Sequence, residues 1–173
     1  MNGDCEEAFV LLWRAIEADE RDLASEAVVA IDIDCRCMHE APVQDFIFEE
    51  MLKALGVAAS GECSWHIFVW FERYFYEMTD EQRERTWRFV SSDYGRTVDD
   101  ATVLEIAEWV GGFRSDRALK VVRDWIDNRA SFPDYNEKCI RIALSEFLND
   151  EDLPVDAEWR RKVLELSQRH GSR

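Results

Sequence analysis

Glycine and proline are scarce in this chain, at seven and three of 173 residues. Tight turns draw on both, so their scarcity argues against an all-β fold. Histidine occurs three times, and none has Glu three residues before it. The paired Glu-x-x-His motifs of a di-iron bundle are therefore missing. Bases are few as well: 21 Lys and Arg stand against 37 Asp and Glu, a formal charge of −16. Phosphate binding wants the opposite sign, so nucleic acid is a poor partner. An anionic membrane is disfavoured by the same repulsion. No apolar run is long enough to span a bilayer, and no G-x-x-x-x-G-K-[ST] phosphate loop is present. Asp4, Glu6 and Glu7 stand where a secretory leader would carry bases. The five cysteines, Cys5, Cys35, Cys37, Cys63 and Cys139, are an odd number. They are expected as free thiols in a reducing cytoplasm, with no metal and no cofactor.

Aromatic residues are not scarce. The stretch SWHIFVWFERYFYEM, residues 64–78, carries eight aromatic or histidine side chains. On a helix, Ile67, Phe68, Phe71, Tyr74, Phe75 and Met78 fill one broad sector. Trp65, Val69 and Tyr76 fill most of the opposite side. Only His66, Arg73 and Glu77 form a polar stripe, flanked by Trp70. A helix apolar nearly all round is enclosed by other helices. The stretch is therefore expected as the central packing helix, in preference to an aromatic ligand groove.

The rest of the chain reads as about nine helices with short connections, in a single domain. Asp4 and Asp22 are expected to cap the first two, the second running toward Met38. IDIDCRC also alternates as a strand would, but no second strand exists to pair with it. The third helix is expected to open near Pro42, with Val43, Ile47, Met51, Ala54 and Leu55 inward. TDEQ, from Thr79, is a capping-box pattern for the fifth. Gly111–Gly112 are expected to stop the sixth. Ser115 caps the seventh, Pro133 opens the eighth, and the ninth follows Pro154. EWV at 108–110, DWI at 124–126 and EFL at 146–148 each place an acid, an aromatic and an aliphatic residue near a helix end. Trp109 and Phe147 lie 38 positions apart, near the period of helix-pair repeats. Over residues 98–170 the chain thus resembles HEAT-like α-solenoids, with a compact helical bundle as the alternative. That resemblance implies stacked antiparallel helix pairs and a protein-binding face.

Three constellations bear on chemistry. Cys35, Cys37 and His39 form C-x-C-x-H, but a closed zinc site needs a fourth firm ligand and usually Cys-x-x-Cys. Cys63 and His66 lie one helical turn apart beside Ser64, a nucleophile–base pair on paper. No Gly-rich elbow frames it. The third is acidic. Residues 1–60 carry 14 acids and 4 bases, 61–100 carry 9 and 5, and 101–173 carry 14 and 12. Glu17, Asp19, Glu20 and Asp22 crowd one interhelical turn. Asp32, Asp34, Asp45, Glu49 and Glu50 follow, with Glu49 also placed to pair with Lys53 at i+4. These five are expected on a surface that docks onto a basic protein. In size and acidity the chain is similar to bacterial immunity proteins that neutralise basic nuclease toxins, which implies a non-catalytic inhibitor whose partner is a toxin domain. The alternatives are a helical-repeat scaffold or adaptor, and a helical-bundle hydrolase using carboxylates.

Overall fold

The computed structural model describes residues 3–35, 43–58, 62–93, 100–128, 133–149 and 155–171. Cys37, Met38, His39, Pro42 and Pro154 lie outside them. Among the described residues there are nine α-helices and no strand, so the chain is all-α. The helices are α1 (Gly3–Ala18), α2 (Arg21–Asp34), α3 (Asp45–Ala58), α4 (Ser64–Tyr74), α5 (Asp80–Arg88), α6 (Asp100–Gly112), α7 (Asp116–Asp127), α8 (Pro133–Phe147) and α9 (Ala157–Gly171). A 3-10 turn, Phe75–Glu77, follows α4, and a π-helical turn, Phe89–Asp93, follows α5. The strand-like alternation in IDIDCRC is overruled as far as Asp34 by the buried helical face Ala24, Val28 and Ile31. The packing gathers into two compact units: Met1–Phe89 with Arg96–Thr102, and Val90–Gly95 with Val103–Arg173.

In the first unit, α1 packs on α2 and α3, and α4 packs on the same two helices, which closes a ring of four. Asp19 makes the turn between α1 and α2 at φ 52°, a left-handed conformation that Asp tolerates better than most residues. Its carboxylate also accepts the Glu62 backbone N–H at 2.9 Å. The first acidic turn thus has a structural task. Asp22 does not cap α2; the cap position is Glu20, without a side-chain hydrogen bond. Thr79 and Gln82 close the expected capping box on α5. Phe68, Trp70 and Phe71 are wholly buried, Tyr74 and Phe75 nearly so, and Arg73 and Glu77 are wet. Phe48 of α3 meets Phe71 edge to face at 5.8 Å, and Trp87 of α5 meets Phe75 at 5.7 Å. Trp70 is thus core rather than the flank of a polar stripe. Tyr76, on the 3-10 turn where the helical register ends, is 78% exposed.

Antiparallel pairing also brings the first turn of α1 to the end of α2. Cys5 and Cys35 form a disulfide there, with Cα atoms 4.9 Å apart. This corrects the expectation of five free thiols. Period and burial marked Cys35 as inward, but its partner lies 30 residues away and only the hairpin reveals it. Cys63 and Cys139 are free and buried. Closing a loop of that length restricts the unfolded chain, and reduction should lower stability by roughly 3–4 kcal/mol. Urea unfolding with and without reductant, and of Cys35→Ser, measures this; the oxidised protein should run two mass units lighter.

The second unit buries Ile106, Val110, Val122, Ile126, Ile140, Phe147 and Val163. Ser115 caps α7 by accepting the Ala118 N–H at 3.2 Å, and Asp156 does the same for α9 toward Trp159 at 2.8 Å. The indole N–H of Trp159 bonds the Phe147 carbonyl at 3.0 Å, and that of Trp125 the Val90 carbonyl at 3.3 Å. Trp109, Trp125 and Phe147 of the repeated triplets are all core residues.

α6 ends at Gly112, where the stop was expected, and Gly111 lies inside its last turn. Gly111 lets α8 approach: a Cβ there would fall 2.4 Å from Glu146 Cβ and 3.1 Å from the Ala143 carbonyl oxygen. A Cβ on Gly112 would meet nothing within 4 Å. Gly111→Ala should therefore cost about 1–3 kcal/mol through overpacking. Gly112→Ala should gain about 0.5–1 kcal/mol through helix propensity. Opposite shifts of the urea midpoint would show this; equal shifts would contradict it.

Candidate functional site

The five acids expected on one surface are mostly engaged within the first unit. Asp32 is not on the surface at all. Its side chain sits between α2 and α4, and the residue is 3% exposed. Arg73 of α4 donates to its Oδ2, while Oδ1 closes no hydrogen bond of standard geometry. Burial pushes the Asp32 carboxyl above its ordinary range. Arg73, the Tyr74 hydroxyl and the Trp70 indole pull it back without cancelling the effect. On α2 the positions facing α4 are those in register with Val28, Ile31 and Cys35, and Asp32 falls among them. The sequence shows the position; the partner, 41 residues away, is what makes a charge tolerable there.

Asp34 is half-buried and has intramolecular contacts of its own. On α3, Asp45 Oδ1 accepts from the Gln82 amide at 2.9 Å. Glu49 takes both guanidinium nitrogens of Arg85, one at 2.8 Å, and these bonds hold its carboxyl below the usual range. The Arg85 guanidinium also lies 5.1 Å from the centre of the Phe48 ring. Glu50 accepts from the Trp13 indole at 3.3 Å and pairs with Lys53 at 3.9 Å. Lys53 thus serves Glu50 at i+3, not Glu49 at i+4. Tertiary partners on α5 and α1, invisible to a local pairing rule, decided each of these.

What stays exposed is a different set. The outward stripe of α2 runs Asp22, Glu26, Val29, Ile33, at helical spacing. The outward stripe of α1 carries Glu6, Glu7, Val10, Arg14 and Glu17. Val10, Val29 and Ile33 are 47%, 50% and 61% exposed. The hairpin therefore exposes three aliphatic side chains and five carboxylates, with Arg14 among them. The carboxylates were readable as acids; the exposed aliphatics required knowing which helical face turns outward.

The nucleophile–base pair does not assemble. Cys63 donates its S–H to the Ala15 carbonyl at 3.4 Å. Burial, and then the nearby Asp19, Glu62 and Glu20 carboxylates, push its thiol up to about 11. A thiolate is the reactive form, so this cysteine is inert near neutral pH. Ser64 shares a hydrogen bond with Thr102 at 2.8 Å. His66 stacks edge-on against Trp65 at 4.8 Å, and burial lowers its imidazole from the usual range. In the C-x-C-x-H motif, Cys35 is consumed by its disulfide. Among the described residues no group of three His, Cys, Asp or Glu side chains is placed to hold a metal ion. No helix among them is long and apolar enough to cross a membrane. Comparison with protein families, with curated proteins and with solved structures finds no match in any of the three.

Native-state alkylation at pH 8 should leave Cys63 and Cys139 unmodified, with labelling appearing only on denaturation. Rapid labelling of Cys63 in the folded protein would overturn the account of its thiol.

The Asp32–Arg73 pair gives an asymmetric prediction. Arg73→Ala leaves a buried carboxylate without its cation and should cost about 2–4 kcal/mol at pH 7. Asp32→Asn removes the buried charge and frees a half-exposed Arg73 to water, so it should cost less than about 1 kcal/mol. The pH dependence has a definite sign. A carboxyl raised in the folded state binds its proton more tightly there than in the unfolded chain. Its contribution to stability is full below the unfolded value and is lost as pH rises through the folded value. Wild type should thus lose stability at this site on going from acid toward neutral pH, and Asp32→Asn should abolish that component. Urea titrations of both variants between pH 4 and 7 measure it.

Proposed function

We propose that this chain is a non-catalytic protein-binding module that engages a basic partner through the outward face of the α1–α2 hairpin. The observation that carries the reading is the division of labour among the acids. Asp32, Asp45, Glu49 and Glu50 bond to Arg73, Gln82, Arg85 and Trp13. Glu6, Glu7, Glu17, Asp22 and Glu26 remain exposed, as do Val10, Val29 and Ile33 on the same two helices. Desolvated aliphatics supply short-range attraction in an interface, and a rim of like charge supplies steering and selectivity. The sign selects a cationic partner. In its narrower form, supported by size and acidity, the partner is a basic nuclease toxin and the chain its immunity protein.

The test begins with a stoichiometric basic protein co-purified from native cells. Its association with the purified chain should slow steeply with added salt. Reversing Glu17 and Glu26 to Lys should slow association roughly tenfold or more at low salt while leaving unfolding unchanged. Val29→Ala with Ile33→Ala should instead raise the dissociation rate. A partner whose binding ignores both pairs of substitutions would rule out this face.

A further inference from the structure

The outward side of α2 is ordered along its length. At about 100° per residue, Asp22, Glu26, Val29 and Ile33 fall within a sector of roughly 60°, in a line of about 16 Å. All four are exposed, Val29 at 50% and Ile33 at 61%. The N-terminal half of the line is acidic and the C-terminal half aliphatic, each a pair four residues apart. Ser25 and Ala30, on either side, are short and half-buried, so the line stands as a ridge between them. Neither carboxylate makes an ion pair among the described residues. The base next to Asp22 in sequence, Arg21, lies over the Trp65 ring at 5.5 Å. His66, which the Asp22 charge reaches, is held below its usual range by burial and is uncharged near neutral pH. Val29 and Ile33 are β-branched, so each holds one preferred χ1 rotamer in a helix, and docking against them freezes little further motion.

We infer that this ridge seats a single amphipathic helix of the basic partner, with an aliphatic pair over Val29 and Ile33 and a Lys or Arg pair over Asp22 and Glu26. The inference rests on the reading of the α1–α2 hairpin as a docking face and narrows it to one kind of partner element. A straight ridge at helical spacing fits the groove between residue rows of a second helix. Its size points the same way. Four side chains in a line are what one helix covers, whereas a standard interface between globular faces takes roughly 20–30 residues a side. The order of the ridge sets the order of the partner. Aliphatic residues over Asp22 and Glu26 would desolvate those charges without pairing them. The partner helix therefore carries its aliphatic and basic residues in successive blocks, as α2 does.

The probe is an alanine-based peptide of about 18 residues, long enough to populate a helix in isolation. It carries a Leu pair and a Lys pair on one face, in the order and spacing of the ridge. One control moves the Lys pair to the opposite face; another replaces Lys by Glu. Each is titrated at low salt into the full-length protein and followed by NMR. Saturable shifts centred on Asp22–Ile33 are expected, with both controls binding roughly tenfold more weakly or worse. Val29→Ala with Ile33→Ala should weaken the patterned peptide roughly tenfold, and Glu26→Lys by a similar factor. Added salt should blunt only the second effect. These side chains are exposed, so the urea midpoints of both variants should match wild type. Absence of saturable shifts, shifts centred on another helix, or equal binding of the opposite-face control would overturn the inference. If the peptide fails while a co-purified basic protein still responds to reversal of Glu17 and Glu26, the docking face stands and the single-helix partner falls. If that protein ignores the reversal as well, both fall.

Discussion

Enclosure of α4 is the constraint on which the first unit depends. Nearly every side of that helix is apolar, so no arrangement leaves it at a surface without exposing several aromatic rings at about 2–3 kcal/mol each. Two helices cannot cover it. The ring of α1, α2, α3 and α4, closed by α5 against Phe75, is the response. Once α4 is enclosed, the inward faces of α2 and α3 are fixed, and so are their outward ones. The exposed stripe of Asp22, Glu26, Val29 and Ile33 is a consequence of what α2 must offer α4.

One charged group entered that core. Asp32 occupies a position the helical period assigns to the interior, and α4 supplies Arg73 to meet it. Arg73 is half-exposed, with its side chain 51% accessible, whereas the Asp32 side chain is 4% accessible. The pair is therefore lopsided: the acid carries nearly all the desolvation cost, and the base keeps much of its hydration. Such a pair adds little stability over an apolar one. It does discriminate between registers, because a one-residue rotation of α2 would bury Ile33 or Ile31 against Arg73 instead. Together with the Cys5–Cys35 link at the same end of α2, it fixes the hairpin on α4 at two points.

Helical class, the buried faces of α2, α3, α7 and α8, and the Thr79 and Ser115 caps were legible in the sequence because each rests on interactions within about one turn. Cys139, Ile140, Ala143 and Phe147 show it well: the period alone places all four inside, and all four are fully buried. What escaped depends on pairs distant in the chain. Cys5 and Cys35, Asp32 and Arg73, and Glu49 and Arg85 are separated by 30 to 41 positions. Gly111 is the same lesson in the backbone. A glycine near a helix end reads locally as a stop, whereas its function here is set by Glu146 on a neighbouring helix. The candidate surface failed to resolve for a related reason. Charge counts locate acids in a third of the chain, but only tertiary partners decide which acids remain for another molecule.

That last distinction alters how the acidity itself is to be understood. A net charge counts every carboxylate alike, and by that count α3 is as good a docking surface as α1. Hydrogen bonds divide them. Glu49 held by Arg85, and Glu50 shared between Trp13 and Lys53, present a field already offset at close range by their own cations. Glu6, Glu17, Asp22 and Glu26 project theirs into water. At physiological salt a field reaches roughly 8 Å, so a partner senses the local balance rather than the sum over the chain. On that measure the exposed acids of α1 and α2, with only Arg14 and Arg21 exposed among them, leave a more negative local balance than those of α3.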